Sequence, residues 1–257
     1  MALKFTILGC GYSLGVPSID GYFGLCDPNN KKNYRTRCSA IITGKKNNIL
    51  IDTSPDIKSQ LVKNKIKSID KIFYTHEHAD QTHGINDLRF FYLKNKRKIP
   101  VYANKRTTKY LLSSFKYCFK NVSEYPPILK INSLRKIHTY SNQGEKITIK
   151  SVPVVHGKIK SIAYIINNKC AYASDVSKIY NKDLYHFKNL IFFVVDGLRY
   201  AHHYSHFNLN KVLDLVKLIK PKTTILTNLN NEMDYTKLKN KLPNNIIPAY
   251  DGLTLLI

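Results

Sequence analysis

Acidic residues are scarce in this chain. Asp and Glu number 17 against 41 Lys and Arg over 257 residues, leaving a formal net charge of +24. Such an excess has two possible origins. One is attraction to phosphate, in a nucleotide or in nucleic acid. The other is compositional drift, because Lys, Asn, Ile and Tyr, all abundant here, are encoded by A/T-rich codons. Lysine heavily outnumbers arginine, whereas forked phosphate contacts favour arginine. The basic run Lys94–Lys98 has no interleaved aromatics of the kind that stack bases. Nucleic acid is therefore discounted as a partner, although the charge keeps it open.

Other absences narrow the class further. Five cysteines, at positions 10, 26, 38, 118 and 170, form no C-x-x-C pair. That argues against a disulfide framework and for reduced thiols in a cytoplasmic protein. No apolar run reaches the length of a membrane span, so no membrane partner is expected. The opening Met-Ala-Leu-Lys-Phe-Thr-Ile-Leu-Gly runs into a strand pattern without the layout of a signal peptide. Repeats, low-complexity tracts and clear linkers are lacking, and 43% of residues are hydrophobic, enough for a full core. One domain over 1–257 is expected. A glycine-rich turn from Gly9 to Pro17 is not followed by an amphipathic helix. It is therefore neither a phosphate-binding P-loop nor a dinucleotide fingerprint.

The densest chemistry lies in Tyr74-Thr-His-Glu-His-Ala-Asp-Gln-Thr-His-Gly84. A short apolar run, Lys71 to Tyr74, reads as a buried strand leading into it. His76 and His78 are two residues apart, so both can reach one metal from a strand end, and Asp80 can serve the same ion or a neighbour. Imidazole with carboxylate suits zinc or another first-row ion. Gly84 lets the chain turn close to the site. Elsewhere, polar residues recur where apolar runs end: His156 before Gly157, Asp175 after Ala173, Asp196 after Val195, and Asn228 after Thr227. Polar residues collected at strand ends are the layout of an active site built from loops on a sheet edge.

The remaining elements read more plainly. Ser54 is the expected N-cap of a helix with Pro55 at its first position and Asp56 at its positive end. Lys105–Phe119 has helical spacing throughout. A hairpin is expected around Asn142-Gln-Gly144 and another across Asn167-Asn168. Asn208 caps a helix whose apolar face carries Leu209, Val212, Leu213, Val216 and Ile219. His202, His203 and His206 cluster ahead of it. His138 and His186 have no motif around them.

Together, Thr75-His-x-His-x-Asp80, His156 and Asp175 resemble the metallo-β-lactamase superfamily. Longer blocks are similar to its phosphoribosyl 1,2-cyclic phosphate phosphodiesterase branch: Leu8-Gly-Cys-Gly-x-Ser-x-Gly-Val-Pro17, Ile51-Asp-Thr-Ser-Pro-Asp56, Ala79-Asp-x-Thr-His-Gly-Ile-x-Asp-Leu-Arg89, and Val195-Asp-x-Leu-Arg-Tyr200. The resemblance implies an α/β fold, a four-layered αβ/βα sandwich of two mixed β-sheets. It implies a first metal on His76, His78 and His156, with Asp175 bridging to a second metal that Asp80 also binds. It implies a metal-dependent hydrolase, most simply a phosphodiesterase that attacks a small cyclic or nucleotide-like diester with metal-activated water. Asp80 and His206 are the expected catalytic residues, His206 as a proton donor or phosphate contact. His83 is expected to orient a ligand.

The sequence departs from that branch at two positions. Gln81 stands where the family has a histidine after the aspartate, and Asn230 is matched to its late histidine. Both changes fall on the second metal. One tight Zn²⁺ is expected, with the second position vacant or taken by Mn²⁺ or Mg²⁺ at low affinity. Cys26 stands alone where some relatives hold a structural zinc with three cysteines. Arg35, Arg37, Arg89 and Arg199 are candidates to hold the phosphate of a small phosphorylated substrate. The alternatives are a metal-binding protein of this fold with little hydrolase activity, or an RNA-directed nuclease. A homodimer is left open.

Overall fold

A computed structural model describes residues 3–122, 124–142 and 144–257. Its framework is two seven-stranded sheets. The first contains β1 (Lys4–Gly9), β2 (Ser39–Thr43), β3 (Asn48–Ile51), β4 (Lys71–Phe73), β5 (Ile99–Ala103) and β6 (Leu129–Ser133). The second contains β7 (Ile137–Asn142), β8 (Glu145–His156), β9 (Ile159–Ile166), β10 (Cys170–Ala173), β11 (Phe192–Asp196), β12 (Thr223–Thr227) and β13 (Ile246–Pro248). The last strand, β14 (Leu253–Leu256), returns to the first sheet and pairs antiparallel with β1. Strand orders are 14-1-2-3-4-5-6 and 13-12-11-10-9-8-7. Each sheet is mixed, antiparallel at one side and parallel at the other.

Strand alternation sorts side chains into three cores. In β2, Ala40 and Ile42 face the second sheet, where they join Ile149, Tyr164, Tyr172, Val194 and Ile225. Ile41 faces the other way, onto helices α1 (Ile57–Lys63), α3 (Arg89–Asn95) and α4 (Lys105–Ser114), through Leu61, Phe91 and Leu111; the short α2 (Ala79–Thr82) carries Asp80 and Gln81. The outer face of the second sheet packs Ala171, Phe193 and Val195 against Val212, Val216 and Ile219 of α6 (Leu209–Ile219) and Leu238 of α7 (Tyr235–Lys241). Helix, sheet, sheet, helix is the four-layered architecture expected.

Two local expectations need correction. Helix α1 starts at Ile57, with Asp56 rather than Ser54 at the N-cap position and no side-chain cap bond there. Ser54 Oγ accepts the Asp56 N–H at 3.2 Å, and the Asp56 carboxylate is held by Arg37, so the chain turns before it coils. The stretch Lys105–Phe119 is two helices, α4 and α5 (Lys116–Phe119), because Phe115 leaves helical geometry at φ −125° to bury its ring. The Asn167-Asn168 hairpin forms with both residues left-handed, at φ 50° and 53°, as a tight two-residue turn requires. In the other expected hairpin, Gln143 lies outside the described residues, as do Met1 and Ala2 of the opening stretch. No helix among the described residues is long and apolar enough to cross a membrane.

Candidate metal centre

Most of the site forms where the parallel strands β4, β10, β11 and β12 end, the usual place for ligands in such sheets, and antiparallel β8 adds His156. β4 stops at Phe73, and Thr75 and His76 follow, both wholly buried. Thr75 donates its N–H and its hydroxyl to the two oxygens of Asp52, each at 2.8 Å. With its proton committed there, Thr75 Oγ1 accepts from His76 Nδ1 at 3.0 Å. This relay fixes the ring and turns the Nε2 lone pair inward, as an outer partner does for a metal-binding histidine. His156 closes β8 and is held the same way, its Nδ1 2.7 Å from the Ser205 carbonyl. Gly157 allows that approach: a Cβ there would sit 2.8 Å from Ser205 Cβ. Gly84 does the same on the other flank, where a Cβ would lie 2.0 Å from the Ser54 carbonyl.

His78 completes a triangle of rings. Centroid separations are 4.5 Å to His76 and 5.0 Å to His156, with 4.9 Å between the latter two. His156 Nε2 and His78 Nδ1 stand 3.3 Å apart. Two metal–nitrogen bonds of about 2.0–2.1 Å at a tetrahedral angle impose roughly that separation. His76 Nε2 is buried with no hydrogen-bond partner. Burial holds the His76 pKa down to about 3, so the ring is neutral and its lone pair free at pH 7. An orphaned, deprotonated nitrogen facing two further imidazoles is a donor set that fits a divalent cation.

The carboxylates lie beside this triangle. Asp175 follows β10 and is buried; the imidazoles of His76, His156 and His206 overcome its burial and hold its pKa below the usual range. Asp80 is pushed up to about 6 by burial and by the charge of Asp175. Gln81 sits between the two, its Nε2 3.2 Å from Asp80 Oδ2 and 3.3 Å from Asp175 Oδ2. An amide thus occupies the space between two carboxylates that would otherwise repel. Behind Asp175, Asp196 closes β11 and accepts the Val176 and Leu198 N–H groups and His206 Nδ1, the last at 2.7 Å. Burial alone would lower the His206 pKa, but Asp196 raises it to about 9. Burial pushes the Asp196 carboxyl itself up to about 7, so the pair holds one proton at neutral pH in the 2.7 Å bond between them.

Other expected positions fall elsewhere. Asn230 is not the amide beside the carboxylates: its Oδ1 accepts the Glu232 N–H within its own loop. Asn228 is, with Nδ2 reaching the Ser174 carbonyl, Asp175 Oδ1 and Asp196 Oδ1 at 3.0, 3.3 and 3.4 Å. Its backbone is left-handed, at φ 60°, a strain tolerated by Asn and common at functional sites. Arg35 is 1% exposed, its two terminal nitrogens are bound to Asn33 and to the carbonyls of Asn230 and Met233, and its Nε is buried, so it is closed to a phosphate. Cys26 lies against that guanidinium at 3.9 Å. Arg37 is forked onto Asp56. Arg89 lies over the Tyr125 ring, in a small niche with Asn86 and Cys118. Arg199 donates to the His202 carbonyl, close to the histidine loop. His83 is exposed and touches Thr82 and Phe115 rather than a ligand. His203 packs 5.0 Å from the His206 ring and accepts from Ser205. His138 is a core residue against Phe73 and Tyr102.

Two supporting residues escaped the sequence reading. Asp52 ends β3 and orients Thr75. Glu77, between the two motif histidines, is tied to Arg106 and Thr107 of α4. Asp52 was visible only as part of the Ile51–Asp56 block, and nothing in the sequence pairs Glu77 with residues about thirty positions away.

Residues 47–227 match the family described as Beta-lactamase superfamily domain. The chain is 29% identical over 260 residues to an octanoyltransferase of Porphyromonas gingivalis (strain ATCC BAA-308 / W83), covering 99% of this chain and 52% of that protein. It thus spans about half the length of the curated relative it matches. Among solved structures, it is similar to a diphosphatase from the PhnP family, at 29% identity and a TM-score of 0.88, covering 98% of this chain and 97% of that one. Zn²⁺-bound PqqB from Methylobacterium extorquens shares the fold at 18% identity and a TM-score of 0.74, covering 98% and 99% of the two chains.

Proposed function

We propose, from the premise that this chain belongs to the metallo-β-lactamase superfamily, that it is a phosphodiesterase using one tightly held zinc ion. The observation that carries the reading is the triangle of His76, His78 and His156 around an unpartnered buried nitrogen, with Asp175 and the His206–Asp196 pair alongside. A metal-binding hydrolase follows from the superfamily and its site. The phosphodiester class is supported by the likeness to a diphosphatase over nearly the whole of both chains. Acyl transfer belongs to the name of the Porphyromonas protein, of which this chain matches about half.

His76, His78, His156 and Asp175 would hold the ion. A bound divalent cation supplies water activation near neutral pH and neutralises charge that develops on the phosphoryl oxygens. The chain's own groups do the rest. Asp52 and Thr75 keep the His76 lone pair aimed inward. Asp196 and His206 share a proton, so that ring can donate to a leaving oxygen or to a phosphate oxygen. Asp80, pushed up to about 6 by burial and by Asp175, can accept a proton from water. Purified protein supplied with zinc or manganese is expected to hydrolyse bis-p-nitrophenyl phosphate and a ribose cyclic phosphate. Turnover of an octanoyl thioester or a lactone, with none of either phosphodiester, would move the chain to another branch.

The stoichiometry follows from Gln81 and Asn228. Amides are weaker zinc ligands than imidazoles, and both adjoin the carboxylates that a second ion would need. Dialysed protein is expected to retain one zinc per chain. Gln81→His combined with Asn228→His should raise this toward two, whereas Gln81→His with Asn230→His should do no more than Gln81→His alone. Elemental analysis after dialysis against a weak chelator decides it: two zincs in the unaltered protein refute the reading.

A further inference from the structure

A groove of about 1310 Å³ lies beside the metal centre. That exceeds the roughly 300–1,000 Å³ of a small-molecule pocket. It is close to the site by construction. Ile162 in its wall donates its N–H to the Thr75 carbonyl, next to His76. Lys160 pairs with Val155, next to His156. Asn104, also in the wall, caps α4, whose Arg106 and Thr107 hold Glu77.

The wall is strongly cationic. Lys105 and Lys109 come from α4, Arg135 and Lys136 from the β6–β7 turn, Lys160 from β9, and Lys182 from the 3-10 helix Asn181–Phe187. All six are exposed, and among the described residues none is in an ion pair. One acid, Asp183, lines the groove. Six cations face one acid here, so positive charge dominates this wall. His186 lies among these charges with Lys150 Nζ 3.4 Å from its Nδ1; burial and the Lys150 and Lys136 charges lower its pKa. Aromatic faces are present too. Tyr180 lines the groove, and Tyr185, 60% exposed, lies with its ring 3.8 Å from that of His186.

We propose that this groove binds a single-stranded oligonucleotide alongside the metal centre. A lone phosphate needs donors that converge, preferably an arginine fork. Here the cations are spaced over four elements, mostly as lysine point charges, which matches a chain of repeated phosphates. A cationic channel with adjacent aromatic platforms is the general means of holding single strands without reading sequence. Cleavage of such a ligand rests on the phosphodiesterase reading; its binding does not.

Fluorescence anisotropy with a labelled 12-nucleotide oligouridylate tests it, on both metal-loaded and chelator-treated protein. Binding is expected at 50 mM salt in both. If about four phosphates are neutralised, affinity falls roughly fiftyfold by 200 mM salt. Lys105→Glu with Lys109→Glu and Lys160→Glu should weaken binding at least about tenfold, and Tyr185→Ala about fivefold. Hydrolysis of bis-p-nitrophenyl phosphate should stay within about twofold in both variants, since neither alters the metal centre. Lys182→Glu alone, outside both sheets, repeats the test if the triple variant loses its fold. No binding by the unaltered protein at 50 mM salt, or equal binding by the charge-reversed variant, overturns the proposal. Displacement by tripolyphosphate at equal phosphate concentration also overturns it, in favour of a small-polyphosphate site. Failure on bis-p-nitrophenyl phosphate alone would sink the phosphodiesterase reading and leave the groove standing.

Discussion

His76→Ala is expected to yield a folded protein that retains no tight zinc and hydrolyses phosphodiesters at least about a hundredfold more slowly. The magnitude is that of removing a preorganised electrostatic element from a hydrolytic site. His76 offers a buried nitrogen with no protein partner, so nothing inside the chain replaces it as a ligand. Zinc should raise the melting temperature of the unaltered protein, because an ion bound only by the native state stabilises it, and should leave that of the variant unchanged. His83→Ala is the matched control. It lies in the same motif, but its ring is exposed on Phe115, and activity should stay within about twofold. Zinc retention by His76→Ala, together with a comparable loss in His83→Ala, would remove the imidazole triangle from the account.

How much of this was legible depends on the distance over which each feature is encoded. His76, His78 and Asp80 are local: two-residue spacing after an apolar run places them at one strand end whatever the rest of the chain does. The layers were legible through alternation, as in Ala40, Ile41 and Ile42 of β2, which divide between two cores. Pairing was not. No local pattern says that β14 returns across almost the whole chain to lie beside β1. Asn228 and Asn230 show the same limit at small scale. Both fit a motif counted along the chain, but β12 ends at Thr227, and the left-handed turn at Asn228 brings that amide to Asp175. The groove was hidden for a related reason. The basic run Lys94–Lys98 contributes nothing to it, and its cations come in ones and twos from four separated elements. The aromatic partners missing from that run appear only once the chain is folded.

Arg35 carries the second large effect, on stability rather than on turnover. Its guanidinium is buried and binds three acceptors: Asn33 Oδ1 at 3.1 Å, the Asn230 carbonyl at 3.1 Å and the Met233 carbonyl at 2.6 Å. Its backbone exchanges hydrogen bonds with Val16 in both directions. Asn33 extends the cluster to Asp234, donating to Oδ2 at 2.6 Å, and Asp234 in turn caps α7. The long loop between β1 and β2 is thereby tied to the segment after β12, the segment that carries Asn228. Arg35→Ala leaves the Met233 carbonyl without a donor, while Asn33 Oδ1 keeps the Tyr235 N–H and the Asn230 carbonyl keeps the Met233 N–H. The unsatisfied carbonyl costs about 1–3 kcal/mol and the two other lost charge-assisted bonds add to it, so a loss of roughly 2–4 kcal/mol is expected. Arg35→Lys should recover less than half of it, since one ammonium cannot span the fork's separated acceptors. Urea unfolding checks the magnitude, as a lower midpoint at unchanged slope. The KM for bis-p-nitrophenyl phosphate, measured well below the new midpoint, should stay within about twofold, because the guanidinium is buried and its two terminal nitrogens are bound to Asn33, Asn230 and Met233. A tenfold rise in KM with stability altered by less than about 1 kcal/mol would instead make Arg35 a phosphate contact.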